Sequence, residues 1–206
     1  MYLVFGKKHE TADSLGFSNA KRVNQVHGDV IVTVEEIDNA EGLLNADAII
    51  TNLSKTPLLL NTADCIPILL YDSGKQVIAA IHCGWRGVIN GISIKTVCKL
   101  KDVYGVNIEK INAFLGPSIC GDCYDMTAES LLQFSRELLA CGYKAIGPKH
   151  CMDLKACVKY QLKSIGVKSI WQSRDCTKCL SDTYWSHRYA VQTKSKAGSN
   201  CSIITL

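Results

Sequence analysis

The sequence predicts a single mixed-sheet α/β domain with flanking helices. Short apolar runs rich in valine, isoleucine and leucine recur through the first half of the chain, and such runs are typical of strands buried on both faces. Segments with helical periodicity separate some of these runs. The 206 residues contain no internal repeat and no linker rich in proline, glycine and serine, so we expect one domain over residues 1–206.

The first predicted strand is DVIVTVEE, residues 29–36, in which valine and isoleucine alternate with other residues. Further apolar runs predict strands at 47–51, 56–62, 67–72, 76–83, 111–116 and 168–172. These predicted strands dominate the first half of the chain.

Three helices are predicted between and after these strands. Across residues 86–104, apolar side chains recur at steps of three and four and so share one helical face, and Gly105 suits the C-terminal end. A second helix is predicted over residues 128–141. A third begins near Asp153, a good N-cap residue, and ends at Gly166.

Composition limits the classes of partner. Hydrophobic residues make up 47% of the chain, charged residues make up 20%, and the net charge is +4. Because the lysines are scattered and form no dense basic stripe, we expect a small anionic substrate rather than nucleic acid. No run approaches the roughly 20 apolar residues of a membrane span, and the N-terminus shows no signal-peptide pattern. We therefore expect no membrane partner and a cytoplasmic location.

The chain contains eleven cysteines, which we expect to be thiols or metal ligands rather than a disulfide framework. Two Cys-x-x-Cys pairs occur, CGDC at residues 120–123 and CTKC at residues 176–179. Two such pairs can form a structural zinc site. The separation of these pairs exceeds that of compact zinc ribbons, so spacing favours incidental thiols over a four-cysteine site.

Three metal-capable side chains lie at predicted strand ends: His27, Cys65 and His82. Two imidazoles and one thiolate would form a three-ligand zinc site with an open fourth position, which is the catalytic arrangement. Their spacing alone favours a simpler explanation, in which the histidines are polar strand-end residues and the cysteine is a core thiol. A nucleophilic Cys65 activated by His82 is a further alternative, and it requires the same residues.

A different feature is the corner GWRG, residues 84–87, between a predicted strand and a predicted helix. It places Arg86 in the first helical turn, where free N–H groups and the helix dipole favour anions. Arg86 is therefore a candidate clamp for phosphate or carboxylate. The alternative is a surface arginine that stacks on Trp85.

Several motifs occur in series and together carry a family resemblance. They are NQVHGDVIV, DAIITN, TADCIPILLYD, AAIHCGWRG, AFLGPSI, CYD, RDCT and YWSHRY. In this order the chain resembles the YfiH/YlmD-type family from about Gly16 to its C-terminus. The resemblance implies an α/β domain related in core topology to the cytotoxic necrotizing factor deamidases. It also implies that His27, Cys65 and His82 bind the metal, and it overrides the interpretation from spacing.

The same resemblance implies a zinc-dependent purine nucleoside phosphorylase with adenosine deaminase activity. Such an enzyme converts adenosine or inosine and phosphate into free base and ribose 1-phosphate, with one zinc ion per chain. The partners are then a nucleoside and phosphate. Cys65, His82, Asp64 and Arg86 are the predicted catalytic residues, with Asp64 as a proton shuttle in deamination. The predicted substrate- and phosphate-binding residues are Gln25, Arg86, Tyr124 and Arg188, and Gln25 could instead orient the metal ligand.

Two other functions stay open as alternatives. The family is also known as polyphenol oxidases, which are laccase-like and use copper, and a His–Cys–His set would bind copper as a substitute for zinc. Only five histidines are present, too few for several coppers once two serve one site. The second alternative is a cysteine hydrolase using Cys65 and His82, although a metal-bound thiolate is not free to attack.

The segment GFSNAKRVNQVHG joins directly two elements that the family separates, so part of the usual pocket wall is absent.

Overall fold

The computed structural model describes every residue from Met1 to Leu206. In chain order its strands and α-helices are β1 (Tyr2–Phe5), β2 (Ile31–Thr33), α1 (Val34–Asp38), β3 (Ala48–Thr51), β4 (Leu58–Thr62), β5 (Ile66–Asp72), β6 (Val77–Cys83), α2 (Trp85–Asn90), α3 (Ile92–Tyr104), β7 (Asn112–Leu115), β8 (Asp125–Met126), α4 (Ala128–Leu131), α5 (Arg136–Gly142), β9 (Tyr143–Ile146), β10 (Lys149–Met152), α6 (Leu154–Ser164), β11 (Ser169–Gln172), α7 (His187–Thr193) and β12 (Asn200–Thr205).

The central sheet has six strands in the order β11-β7-β5-β6-β3-β2. The two outer pairs, β11 with β7 and β2 with β3, are parallel, whereas the inner pairs are antiparallel. Two antiparallel three-stranded sheets accompany it, in the orders β1-β12-β4 and β8-β10-β9. The predicted mixed α/β class is therefore confirmed. The longest helix, α3, has 13 residues, and no helix is long and apolar enough to reach across a membrane.

The central sheet is buried on both faces, which explains its continuous apolar runs. On β6, Ala79 and Ile81 belong to the larger core, to which α2, α3 and α6 contribute Val88, Ile92 and Val158. The alternate residues Ile78 and Ala80 of β6 belong to a second core together with side chains from β4 and β12. Helices thus cover one face of the sheet, and the β1-β12-β4 sheet covers the other.

The strand predicted over residues 29–36 is wrong from Val34 onwards. The strand ends at Thr33, and a short helix follows. The Thr33 hydroxyl accepts a hydrogen bond from the Glu36 N–H, and the Glu36 carboxylate accepts one from the Thr33 N–H. This reciprocal pair is a capping box, and its Thr-x-x-Glu signature outweighs the strand propensity of the valines. The six later strand predictions are confirmed within two residues at each end.

Two predicted helices are each divided in the structure. The helix over residues 86–104 is interrupted at Gly91, which adopts a left-handed conformation with φ of +69° between α2 and α3. The helix over 128–141 becomes α4 and α5, and the hydroxyl of Ser135 caps α5 by accepting from the Leu138 N–H. The helix predicted from Asp153 is confirmed, with its carboxylate accepting from the Ala156 N–H at 3.0 Å.

Helix α7 and strand β12 were not predicted. No helix was predicted at the cluster YWSHRY, but its last three residues begin α7, and Ser186 caps that helix. Strand β12 lies in the middle of the second sheet, between β1 and β4. The apolar run within β12 is short, and its partner strands β1 and β4 come from distant parts of the chain, so no local pattern predicted this strand.

The break at Gly91 requires a residue without a side chain. Gly91→Ala would place a Cβ at a left-handed backbone position, and we expect the free energy of unfolding to fall by about 1–2 kcal/mol. Chemical denaturation measures this change. The adjacent exposed Asn90→Ala is the matched control and should change stability by no more than about 0.5 kcal/mol. Equal stability of Gly91→Ala and wild type would contradict the assignment.

Candidate metal centre and its cavity

The loops at one edge of the central sheet enclose a cavity of about 550 Å³. Strand β5 begins at this edge and β6 ends there, because the two strands are antiparallel with Pro67 opposite His82. All eight side chains predicted for the site line this cavity: Gln25, His27, Asp64, Cys65, His82, Arg86, Tyr124 and Arg188. Residues from distant parts of the sequence are thus brought to one place by the sheet topology.

His27, Cys65 and His82 form a compact donor set within this cavity. Their ring nitrogens and the sulfur lie within 4.8 Å of one another. The two imidazole rings are nearly perpendicular, at 81°, with centroids 4.7 Å apart. His82 is buried, Cys65 is partly buried and His27 is exposed, so the set opens toward the cavity. Two imidazoles and one thiolate are ligands that suit zinc or copper.

A buried carboxylate, Asp47, holds two of these three ligands. It accepts hydrogen bonds from the backbone N–H groups of Val26 at 3.3 Å, His27 at 3.0 Å and Gly28 at 2.7 Å. It also lies 2.7 Å from Nδ1 of His82. Because an ionised carboxylate can only accept, Nδ1 of His82 carries the proton and Nε2 is left as the ligand atom.

Asp47 was not among the residues predicted from the sequence. It occupies the position directly before β3, in the run NADAII, and it is completely buried. An aspartate at the start of a run that is otherwise buried on both faces is the signal that could have found it. Aspartate is almost never fully buried unless it is paired.

The three groups shift one another's protonation. Burial lowers the pKa of His82, but the Asp47 carboxylate and the Cys65 sulfur outweigh it and raise the value to about 9. Burial raises the pKa of the Cys65 thiol, but hydrogen bonds from His27 and His82 bring it down to about 7. Burial likewise opposes ionisation of Asp47, yet His82 and the Gly28 N–H hold its pKa below the usual value. Between about pH 7 and pH 9 the metal-free centre therefore contains a thiolate beside an imidazolium.

The corner at residues 84–87 brings the backbone against the ligands. A Cβ on Gly84 would lie 3.0 Å from Sγ of Cys65 and 3.3 Å from Cδ2 of His27, which is closer than side chains normally pack. The guanidinium of Arg86 lies 4.4 Å from the centre of the Trp85 ring. The Arg86 side chain makes no hydrogen bond or ion pair with the protein. Arg86 therefore stacks on Trp85, and its guanidinium has no partner within the chain.

The opposite wall is fixed by Asp64, whose backbone φ of +86° is unusual for a non-glycine residue. One carboxylate oxygen accepts from the Thr177 hydroxyl at 2.6 Å, and the other accepts from the Arg188 N–H at 2.7 Å. The Arg188 guanidinium in turn pairs with Asp125 and lies 5.2 Å from the Tyr124 ring centre. Asp64 thus ties the turn before Cys65 to the beginning of α7.

Gln25 and His187 complete the cavity in different ways. The Gln25 amide donates to the Asn61 carbonyl at 2.8 Å and accepts from the Asn61 N–H at 2.9 Å. These two bonds attach the His27 loop to β4. His187 lines the cavity, is exposed and makes no side-chain hydrogen bond. His187 lies in the motif YWSHRY but was not among the predicted site residues.

Comparison with known proteins identifies a matching family model, relatives and a solved structure, and this chain spans about two thirds to three quarters of the length of those proteins. A family model described as "Multi-copper polyphenol oxidoreductase laccase" matches residues 4–206. A purine nucleoside phosphorylase from Clostridium acetobutylicum is 35% identical over 182 residues, covering 88% of this chain and 75% of the relative. An adenosine deaminase from an unknown prokaryotic organism is 32% identical over 178 residues, covering 80% and 67%. The crystal structure of the hypothetical protein YfiH from Bacillus licheniformis superposes with a TM-score of 0.84 at 26% identity, covering 95% and 78%.

The ionisation of Cys65 can be followed in protein stripped of metal. We expect alkylation of the Cys65 peptide by iodoacetamide, measured by mass spectrometry, to reach half its maximal rate near pH 7, because the folded pKa is about 7. Asp47→Asn should move this midpoint upward, since His82 then holds its proton less firmly. Asp29→Asn, at a surface carboxylate paired with Lys95, is the matched control and should leave it unchanged. A midpoint near 9 in wild type would contradict the thiolate assignment.

Proposed function

The chain belongs to the YfiH family, and we propose that it is a zinc-dependent purine nucleoside phosphorylase. It would convert adenosine or inosine and phosphate into free base and ribose 1-phosphate. The observation that carries this proposal is the placement of a three-donor metal centre and an unpaired arginine in one cavity. The name of the relative from Clostridium acetobutylicum supports the purine substrate.

The donor set fits a zinc ion by its chemistry. Three side chains with nitrogen and sulfur donors leave a fourth position open, and Asp47 orients His82 as carboxylates commonly orient zinc ligands. A zinc ion bound there would supply a Lewis acid at the floor of the cavity. Copper would accept the same donors, so the identity of the ion belongs to the test.

Arg86 is the proposed phosphate clamp. Its guanidinium has no protein partner, and a planar guanidinium binds two phosphate oxygens at once. The Arg188 guanidinium is less available to an anion, because it already pairs with the carboxylate of Asp125. We therefore assign Arg188 and the Tyr124 ring to the wall that contacts the nucleoside. Burial and the negative charge at Cys65 raise the pKa of Tyr124 to about 12, so its hydroxyl stays protonated and can donate a hydrogen bond.

Phosphorolysis at this site can be written with groups that the chain supplies. A phosphate oxygen bonds to C1′ of the ribose while the bond from C1′ to the purine nitrogen breaks, and its electron pair leaves with the purine. The base takes a proton from dihydrogen phosphate or from His187, which is exposed in the cavity. The carboxylate of Asp64 supplies negative charge that favours the positive sugar in the transition state.

Adenosine deamination is a second proposed activity. The name of one relative, an adenosine deaminase, supports this activity, and the same donor set would serve both reactions. In deamination water replaces phosphate as the nucleophile and ammonia leaves. Asp64 is the proposed proton shuttle for that reaction, because its carboxylate lies next to Cys65 in the cavity wall.

The multi-copper oxidase alternative has less support in the structure. The other three histidines are not part of the donor set: His9 packs against Trp185, His150 stacks on Tyr143, and His187, on α7, lines the cavity but does not join the group. The only groups of three or more potential donors are the site described here and a cluster of four cysteines. Neither resembles the many-histidine arrangement that several coppers require.

The cysteine hydrolase alternative is favoured by one observation. Without metal, Cys65, His82 and Asp47 form a series in which a carboxylate orients an imidazole that lies beside a thiolate. This is the arrangement of a cysteine nucleophile with its base. Metal dependence separates the two functions, because a hydrolase would be inhibited by zinc and a phosphorylase would require it.

Metal content and product formation test the proposed function. Wild type should bind zinc at this centre, and with inosine and phosphate it should release hypoxanthine and ribose 1-phosphate, detected by chromatography. Cys65→Ser should lose that zinc and the base release, because two imidazoles alone hold zinc weakly. Cys98→Ser, an exposed cysteine on α3, is the control. Base release that needs no phosphate, or that persists after removal of zinc, would overturn the proposal.

Arg86→Lys tests the phosphate clamp. Lysine keeps the positive charge but cannot bind two oxygens in the planar fork, so we expect the phosphate concentration at half-maximal rate to rise roughly ten- to a hundredfold, corresponding to about 1.5–3 kcal/mol. Zinc content should not change. Initial rates against phosphate concentration measure this effect. Identical phosphate dependence of the two proteins would mean that Arg86 serves only to stack on Trp85.

A further inference from the structure

The two Cys-x-x-Cys pairs meet in the structure, although spacing favoured incidental thiols. The sulfur atoms of Cys120, Cys123, Cys176 and Cys179, here called the four-cysteine cluster, all lie within 4.8 Å of one another. The sulfur atoms of Cys123 and Cys179 are separated by 3.4 Å and are not bonded. Cys176 is buried, Cys120 and Cys123 are partly buried, and Cys179 is exposed.

Parallel strand pairing brings the cysteines together. Strands β7 and β11 are parallel neighbours, with Leu115 opposite Gln172, so both strands end at the same edge of the sheet. Each pair of cysteines lies in the loop that follows one of these strands. The loops continue the pairing through a parallel bridge between Ser118 and Cys176, with the Thr177 N–H donating to the Ser118 carbonyl at 3.2 Å.

The sulfur geometry suits a tetrahedral ion. A zinc ion with four sulfurs at about 2.3 Å places those sulfurs about 3.8 Å apart. The 3.4 Å between the sulfurs of Cys123 and Cys179 and the 4.8 Å limit of the cluster lie on either side of this value. Small side-chain rotations therefore suffice to bind the ion. Four thiolates leave no open position, which is the arrangement of a structural site, and soft sulfur donors favour zinc over magnesium or calcium.

Backbone N–H groups point at the most buried sulfur. Sγ of Cys176 accepts from the N–H of Cys120 at 3.3 Å and from the N–H of Cys179 at 3.5 Å. One donor belongs to each Cys-x-x-Cys pair, so both loops hold the sulfur of Cys176 in place. Hydrogen bonds to a ligand sulfur offset its negative charge and fix its position.

A buried lysine supplies positive charge on the same side. The Lys155 ammonium donates to the backbone carbonyls of Ser173 at 3.0 Å and Asp175 at 3.3 Å, in the loop that leads into Cys176. Lys155 is almost completely buried. Four thiolates around a divalent ion carry a net charge of −2, and a fixed ammonium nearby offsets part of it.

We propose that the four-cysteine cluster holds one structural zinc ion, separate from the metal in the cavity. The ion would clamp the loop after β7 to the loop after β11. Both loops support the cavity wall, because Tyr124, which lines the cavity, directly follows Cys123, and the Thr177 hydroxyl holds Asp64. The clamp thus holds the nucleoside-facing wall against the metal-binding floor.

Zinc analysis in a background without Cys65 tests this site independently of catalysis. Full-length Cys65→Ser, purified under reducing conditions without added metal, should contain one zinc ion per chain. Cys65→Ser/Cys179→Ser should contain none, and serine at this exposed position should leave the fold intact by circular dichroism. Cys65→Ser/Cys98→Ser is the matched control and should keep one zinc ion.

A spectrum gives a second measurement that needs no loss of a ligand. Cobalt substituted into Cys65→Ser should show the intense sulfur-to-cobalt and ligand-field bands of a tetrahedral four-sulfur site. Three results would overturn the proposal. Cys65→Ser could contain no metal, it could contain iron in place of zinc, or freshly isolated protein could have a disulfide between Cys123 and Cys179. Zinc retained by Cys65→Ser/Cys179→Ser would also overturn it. None of these readouts depends on nucleoside cleavage, so failure of the proposed function would leave them unaffected.

Discussion

The site depends on one buried carboxylate. Asp47 is removed from solvent, and an unpaired charge in such a position would cost several kcal/mol. Here its oxygens accept from three successive backbone N–H groups and from the ring of His82. The same four bonds that satisfy the carboxylate also shape the His27 loop and set the tautomer of His82. The conformation of the His27 loop and the orientation of the metal ligands therefore have the same physical cause, the hydrogen bonds to Asp47.

Two non-glycine residues of this site have left-handed backbones, which is unfavourable by about 1–3 kcal/mol each. They are His27, with φ of +59°, and Asp64, with φ of +86°. Hydrogen bonds to Asp47 hold the first, and those from Thr177 and Arg188 hold the second. Both residues lie where the chain turns to present a side chain to the cavity. Conformational strain is thus concentrated on the two loops that flank the donor set.

The sequence predicted the sheet well because burial on both faces of a strand produces apolar runs that are independent of partner strands. It predicted His27, Cys65 and His82 only through motif resemblance, since the sheet topology that joins them cannot be derived from spacing. The contact of Asp47 with His82 and the meeting of the four cysteines likewise result from strand pairing, so spacing along the sequence did not predict them. Had the parallel pairing of β7 with β11 been known, the meeting of the two Cys-x-x-Cys loops would have followed. Gly91 and the capping box at Thr33 show that local signals also divide or end elements that propensity would extend.

The central claim is that Asp47 fixes the proton of His82 on Nδ1 and leaves Nε2 for the metal. Nitrogen-15 NMR of the histidine rings tests this most directly, with His82 assigned by its loss in His82→Gln. The account predicts that Nδ1 of His82 stays protonated with and without zinc, and that zinc replaces the proton on Nε2 and shifts that nitrogen. A zinc-induced shift of Nδ1, with the proton on Nε2, would contradict the account.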